Sequence, residues 1–139
     1  MKDAPLHLRF HHMGLAVRSD ETAAEFLTWM GYVCGPLVYD LEQDVRLRMC
    51  EKTGAPSVEI VTFGKGDGPL SQMLKRFDQL IYHTCYEVDD RDRALVSLEN
   101  SGFRVTLASP PRPAILFGGR LVSFHLVPGF GLIELLSAQ

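Results

Sequence analysis

The chain repeats itself once, and that repeat constrains the fold more than any other feature. Residues 9–17 read RFHHMGLAV and residues 80–88 read LIYHTCYEV; laid together they match His12 with His83 and Val17 with Val88. Both segments have the composition and length of half-buried strands. An acidic cap and a helix come after each. Ser19 or Asp20 opens the first helix, whose Ala23, Phe26, Leu27 and Met30 fall at i, i+3, i+4 and i+7; Asp89 or Asp90 opens the second, with Ala94, Leu95 and Leu98. Both helices stop at a glycine suited to a left-handed cap, Gly31 and Gly102, and histidine to glycine spans 19 residues in both copies. A spacing kept to the residue marks two copies of one supersecondary unit.

The segments beyond the two helices are parallel as well. Strand candidates come at roughly 33–39, 44–50 and 57–63 after the first, and at roughly 103–107, 114–117, 121–126 and 131–136 after the second. Between the copies, Gly64-Lys65-Gly66-Asp67-Gly68-Pro69 is a turn-rich linker. Pro69 opens a short helix bearing Leu70, Met73, Leu74 and Phe77. Ser109-Pro110-Pro111-Arg112-Pro113 is too proline-rich for a central strand and reads as a loop. The prediction is an α+β chain of two βαβββ modules in one domain over residues 1–139. Module one covers about 8–64, linker and short helix 65–78, and module two about 79–137.

Composition excludes several classes. A net charge of −3 with no Lys/Arg run argues against a nucleic-acid partner, and no apolar stretch approaches a membrane span. The opening MKDAPLHLRF lacks the apolar centre of a signal peptide, and three cysteines, Cys34, Cys50 and Cys85, are an odd number in apolar strand-like contexts. The expectation is free thiols in a reducing cytoplasm.

The module ends carry the chemistry. Val58-Glu59-Ile60-Val61 closes the first and Leu132-Ile133-Glu134-Leu135-Leu136 the second, each with one carboxylate inside an apolar strand. An ionised carboxylate buried there is costly unless compensated, although strand alternation also permits each glutamate to face solvent. The matched ends of a repeat that also matches its histidines favour a pairing: His12 with Glu59, His83 with Glu134. Two imidazoles and two carboxylates neutralise a divalent ion, and mixed N/O ligation suits Zn, Ni, Co, Fe or Mn over Ca or Mg. On that reading His12 faces one transition-metal ion and Gly14 and Ala16 leave room beside it. His11 faces away, at the surface or behind the ligand. His125 in Ser123-Phe124-His125-Leu126 is expected to be structural.

His12-Met13-Gly14-Leu15-Ala16-Val17, Gly68-Pro69-Leu70, His83-Thr84-Cys85-Tyr86-Glu87-Val88-Asp89-Asp90 and Gly131-Leu132-Ile133-Glu134-Leu135 resemble the vicinal oxygen chelate superfamily, and within it methylmalonyl-CoA epimerase. The resemblance runs from about Leu8 to Leu136. It implies His12, Glu59, His83 and Glu134 as metal ligands. It also implies an open, cup-shaped mixed sheet around the metal, and a metal-dependent isomerase or lyase moving a proton next to a metal-bound carbonyl. Epimerases carry a glutamate before the first ligating carboxylate, and Glu42 in Asp40-Leu41-Glu42-Gln43-Asp44-Val45 matches it best. Glu134 and Glu42 are thus the candidate catalytic residues.

The chain departs from the family before His83, where Phe77-Asp78-Gln79-Leu80-Ile81 replaces a glycine-rich run, and at Pro110-Pro111-Arg112-Pro113 and Phe117-Gly118-Gly119-Arg120. Substrate identity is therefore open: a small molecule with a carbonyl and a neighbouring oxygen. Arg112, Arg120, Lys75 and Arg76 are candidates for an anionic tail. Alternatives are a glyoxalase I (lactoylglutathione lyase)-type enzyme and a non-catalytic binding or antibiotic-resistance protein. A homodimer is expected, with Phe26 and Trp29 of the first helix or the strand edges at the contact.

Overall fold

The computed structural model describes residues 8–138. In chain order the elements are β1 (Arg9–Val17), α1 (Asp20–Trp29), β2 (Val33–Cys34), β3 (Val38–Asp40), β4 (Val45–Glu51), β5 (Ser57–Phe63), α2 (Pro69–Arg76), β6 (Gln79–Val88), α3 (Arg91–Asn100), β7 (Thr106–Pro113), β8 (Leu121–Val127) and β9 (Gly131–Ser137). Among the described residues nine strands and three helices repeat the order strand, helix, strands; the single strand expected at 33–39 is instead two, β2 and β3. The contacts divide the chain into two compact units, one of residues 12–82 and one in which the segment ending at His11 joins residues from His83 onward.

In the first unit β1 lies parallel to β5, β5 antiparallel to β4, and β4 carries the short β2 and β3. The parallel pair needs a crossover, and α1 supplies it. Ser19 caps α1 by accepting the N–H of Thr22, and Gly31 ends it at φ 97. Leu27, Ala24, Val17, Val58, Ile60 and Cys50 form the core between helix and sheet, with Met13 and Leu15 against it. The buried helix face is therefore Ala23, Ala24 and Leu27. The predicted stripe included Phe26 and Met30, but Phe26 is 59% exposed and stacks on Trp29, 80% exposed, at 6.0 Å. The helix thus has two apolar stripes, and the smaller side chains take the sheet side.

In the second unit β6 lies parallel to β9, β9 antiparallel to β8, and β8 to β7. Asp90 caps α3 through the N–H of Arg93, and Gly102 ends it at φ 93. Val88, Ala94, Ile133 and Leu135 fill the space under α3. Two expectations are corrected here. The proline-rich segment is not a loop: Pro110, Pro111 and Pro113 lie in β7, whose register against β8 shifts between Leu107 and Ser109 and again between Ser109 and Arg112. Bulges on a strand that among the described residues pairs with β8 alone accommodate residues that cannot donate to the ladder. Residues 115–117 form a single 3-10 turn, not a strand.

The cysteines are the third correction. Cys34 and Cys50 oppose each other across β2 and β4 with Cα atoms 4.0 Å apart and are joined as a disulfide; Cys85 is buried and forms no disulfide. Among the described residues no helix is long and apolar enough to cross a membrane.

His125 pairs with Ile133, on the α3 side of the sheet, and its Nε2 lies 2.8 Å from the Ser123 hydroxyl, both side chains buried. Burial, and secondarily Arg91, hold the imidazole below its usual pKa. Because the unfolded chain then binds the proton first, stability drains as pH falls below about 6.5. We predict that the urea midpoint advantage of wild type over His125→Gln shrinks between pH 7.5 and 5.5; a constant difference would contradict it.

Candidate metal centre

Two histidine–glutamate pairs arise in the same way, one in each unit. In the first, Met13, Leu15, Val58 and Ile60 are committed to the core under α1. Alternation then turns His12, Gly14, Ala16 and Glu59 to the opposite face. The parallel register sets Gly14 opposite Glu59, so His12 stands one pleat behind the carboxylate on the same face. Its Nε2 lies 3.7 Å from Glu59 Oε1; His12 is fully buried and Glu59 4% exposed.

In the second unit Val88, Ile133 and Leu135 face α3, which leaves His83, Cys85 and Glu134 on the other side. Here Cys85 stands opposite Glu134, again two residues beyond the histidine. His83 Nε2 lies 3.3 Å from Glu134 Oε1, and both are buried. The ring of Phe124, paired with Glu134 across β8, meets the His83 imidazole edge-on at 5.1 Å. Offset, face and burial agree between the two pairs.

Their chemistry fits a divalent transition metal. Two donors bonded to one ion at about 2.1 Å stand roughly 3.0–3.4 Å apart for right-angle and tetrahedral arrangements. The separations of 3.3 and 3.7 Å lie in or just beyond that range. A buried carboxylate also needs a cation close by, and an ion held by both partners provides one. Each residue offers one N or O ligand atom.

The remaining candidate residues are more scattered. Glu42 lies exposed in the turn between β3 and β4. His11 is corrected: it does not face away. Leu8 packs with the α3-side core and Phe10 meets Tyr86 of that core. His11 is left half-buried with its ring edge-on to Phe117 at 5.2 Å, and Phe117 rests on Cys85, Val122 and Leu136 of the His83 face. His125 faces α3, away from Glu134, as a structural residue should. Arg112 is exposed in β7, and Lys75 and Arg76 are exposed in the last turn of α2.

Arg120 is engaged already, donating to the Ser137 carbonyl and to Glu87. Arg120 and then Arg9 hold the Glu87 carboxyl below the usual carboxylate range. Sequence reasoning passed over Glu87; its i+4 position from His83 was the available signal. It also passed over Asp40, which is buried at the end of β3.

Residues 11–124 match the Glyoxalase/Bleomycin resistance protein/Dioxygenase superfamily. The chain belongs to that family, the vicinal oxygen chelate superfamily. Among solved structures it is similar to methylmalonyl-CoA epimerase from Mycobacterium tuberculosis, at 19% identity and a TM-score of 0.79 over 100% of this chain and 93% of that one. It is also similar to a hypothetical protein from Bacillus halodurans, at 17% identity and 0.78 over 94% of each chain. A third is a Streptomyces coelicolor methylmalonyl-CoA epimerase variant in complex with 2-nitronate-propionyl-CoA, at 20% identity and 0.70 over 95% of this chain and 99% of that one. At these identities the likeness concerns the fold. No curated protein matches the sequence.

Burial predicts an opposition between stability and ligation. In protein stripped of metal, Glu59→Gln and Glu134→Gln each remove a buried carboxylate that no ion then compensates and should raise unfolding stability. In metal-loaded protein the same changes should lower it. Denaturant titration with and without a chelator reads both; stabilisation lost in both states would contradict a ligand role.

Proposed function

We propose that the chain is a metal-dependent enzyme that moves a proton on the carbon next to a substrate carbonyl, of the epimerase kind. One observation carries the reading: the same buried His–Glu pair, at the same strand offset, is built twice. His12, Glu59, His83 and Glu134 would together hold one divalent transition metal, Zn, Ni, Co, Fe or Mn, with the whole chain acting as one domain. Bound there, the ion supplies Lewis-acid polarisation of a carbonyl oxygen and so acidifies the neighbouring C–H.

The chain's own carboxylates handle the proton. Glu134 would accept it from one face of the carbon, and Glu42 would serve the other face. Phe124 holds the His83 ring by its edge and limits its rotation. Return of the proton to the opposite face gives epimerisation. Similar folds in complex with methylmalonyl-CoA and with a propionyl-CoA analogue point to an acyl-CoA thioester carrying a second oxygen as the substrate class. Such a substrate fits a cytoplasmic setting. The exposed Phe26–Trp29 stack is the proposed contact of a homodimer, which sedimentation at micromolar concentration tests.

Metal-loaded protein should incorporate solvent deuterium next to the carbonyl of an acyl-CoA thioester. Glu134→Gln should abolish incorporation in a folded protein, and Glu42→Gln should slow it by about 10²-fold or more. Purified protein should carry close to one transition-metal ion per chain, lost on His83→Ala. Incorporation into glutathione hemithioacetals alone would shift the reading to a glyoxalase-type lyase. Tight ligand binding without incorporation into either substrate would shift it to a binding protein.

A further inference from the structure

The turn that carries Glu42 is fastened at both ends by aspartates. Asp40, the last residue of β3, is 1% exposed; its Oδ1 accepts the backbone N–H of Gln43 at 3.1 Å and its Oδ2 accepts Nε2 of the same residue at 2.9 Å. Asp44 closes the turn at φ 51 and is the single non-glycine residue with positive φ among the described residues. Its Oδ1 accepts the Tyr39 hydroxyl at 2.6 Å and the backbone N–H of Lys65 at 2.8 Å, and its Oδ2 accepts the N–H of Gly66 at 3.0 Å.

The segment it grips approaches closely. A Cβ at Gly64 would stand 2.0 Å from the Asp44 carbonyl oxygen, so only glycine fits there. Arg46, two residues beyond Asp44, donates to the carbonyls of Phe63 and Gly64, and the Lys65 ammonium lies 4.6 Å from the Tyr39 ring centroid.

A plain reversal between two antiparallel strands needs none of this. Glycine at position 44 would take the same backbone without strain, so an aspartate is costly there unless its carboxylate is used. It is used three times, to bind residues 39, 65 and 66 around the turn. The bonds run from the turn to the segment joining β5 to α2, so they hold the turn in place and do more than close it. Leu41 and Glu42 are the residues this arrangement presents.

We propose that Asp40 and Asp44 are positioning residues, Asp40 closing turn 41–44 through Gln43 and Asp44 holding it against residues 65 and 66, so that Glu42 keeps one orientation for proton transfer. The proposal rests on the reading that Glu42 transfers a proton. Asp44→Gly is the informative variant, since it relieves the backbone while removing the carboxylate. In full-length, metal-loaded protein the Gln43 amide should exchange hydrogen about tenfold faster. The kcat for deuterium incorporation into an acyl-CoA thioester should fall about tenfold at unchanged KM. Asp44→Asn, which keeps an acceptor oxygen and tolerates positive φ, should recover most of both.

Unchanged Gln43 exchange in Asp44→Gly would overturn the clamp. Faster exchange with wild-type kcat, in a protein where Glu42→Gln is slow, would overturn the positioning role and leave the proton-transfer reading standing. Wild-type kcat in Glu42→Gln would instead remove that reading, and the proposal with it.

Discussion

A carboxylate in the middle of an apolar strand is the constraint on which the rest of this protein turns. Glu59 lies between Val58 and Ile60, and Glu134 between Ile133 and Leu135, and all six are buried. Moving an isolated carboxylate out of water costs several kcal/mol or more, so each must be met by positive charge or by donors. In both units an imidazole nitrogen stands one pleat away on the neighbouring strand, 3.7 Å from Glu59 and 3.3 Å from Glu134. Hydrophobic neighbours on the other face fix this arrangement: once Val58 and Ile60, or Ile133 and Leu135, are buried under a helix, the intervening glutamate has one direction left.

The helices matter for the same reason. A parallel strand pair requires a crossover, and the histidine strand and the glutamate strand are such a pair in each unit. The helix that crosses over also covers the apolar face, so one element both makes the pairing possible and dictates which side chains face away from it. That is how two segments with little identity beyond one histidine generate the same offset twice. Divergence collects where this logic does not reach. Among the described residues the β3–β4 turn with its two aspartates has no counterpart in the second unit, where β7 carries its prolines on a strand paired to β8 at the edge of the sheet.

Much of this is legible in the sequence because it depends on period and spacing. The strand–helix–glycine rhythm, the caps at Ser19 and Asp90, and the glycines at 31 and 102 come from local backbone physics, which a sequence carries directly. The likeness of the two module ends marked His12, Glu59, His83 and Glu134 because a buried carboxylate is anomalous wherever the strand runs. The errors share one cause, since each concerned a choice among faces or partners that only packing makes. Helix α1 has two apolar stripes, and no local rule says that Ala24 rather than Phe26 meets the sheet. His11 comes directly after Phe10, whose ring is drawn to Tyr86.

By itself, then, the sequence determined a doubled βαβββ chain with one histidine and one carboxylate at matched points of each copy. Those features rest on interactions between near neighbours and on the periodicities of helix and strand. Tertiary structure decided the rest. It set the register that puts residues 14 and 59, and 85 and 134, side by side, and it joined Cys34 to Cys50 across two strands. It also turned a proline run into a bulged strand and drew the backbone of residues 64–66 against the carboxylate of Asp44. These are contacts between residues distant in the chain, and their geometry is set by which surfaces must be buried together, a quantity that no stretch of sequence contains alone.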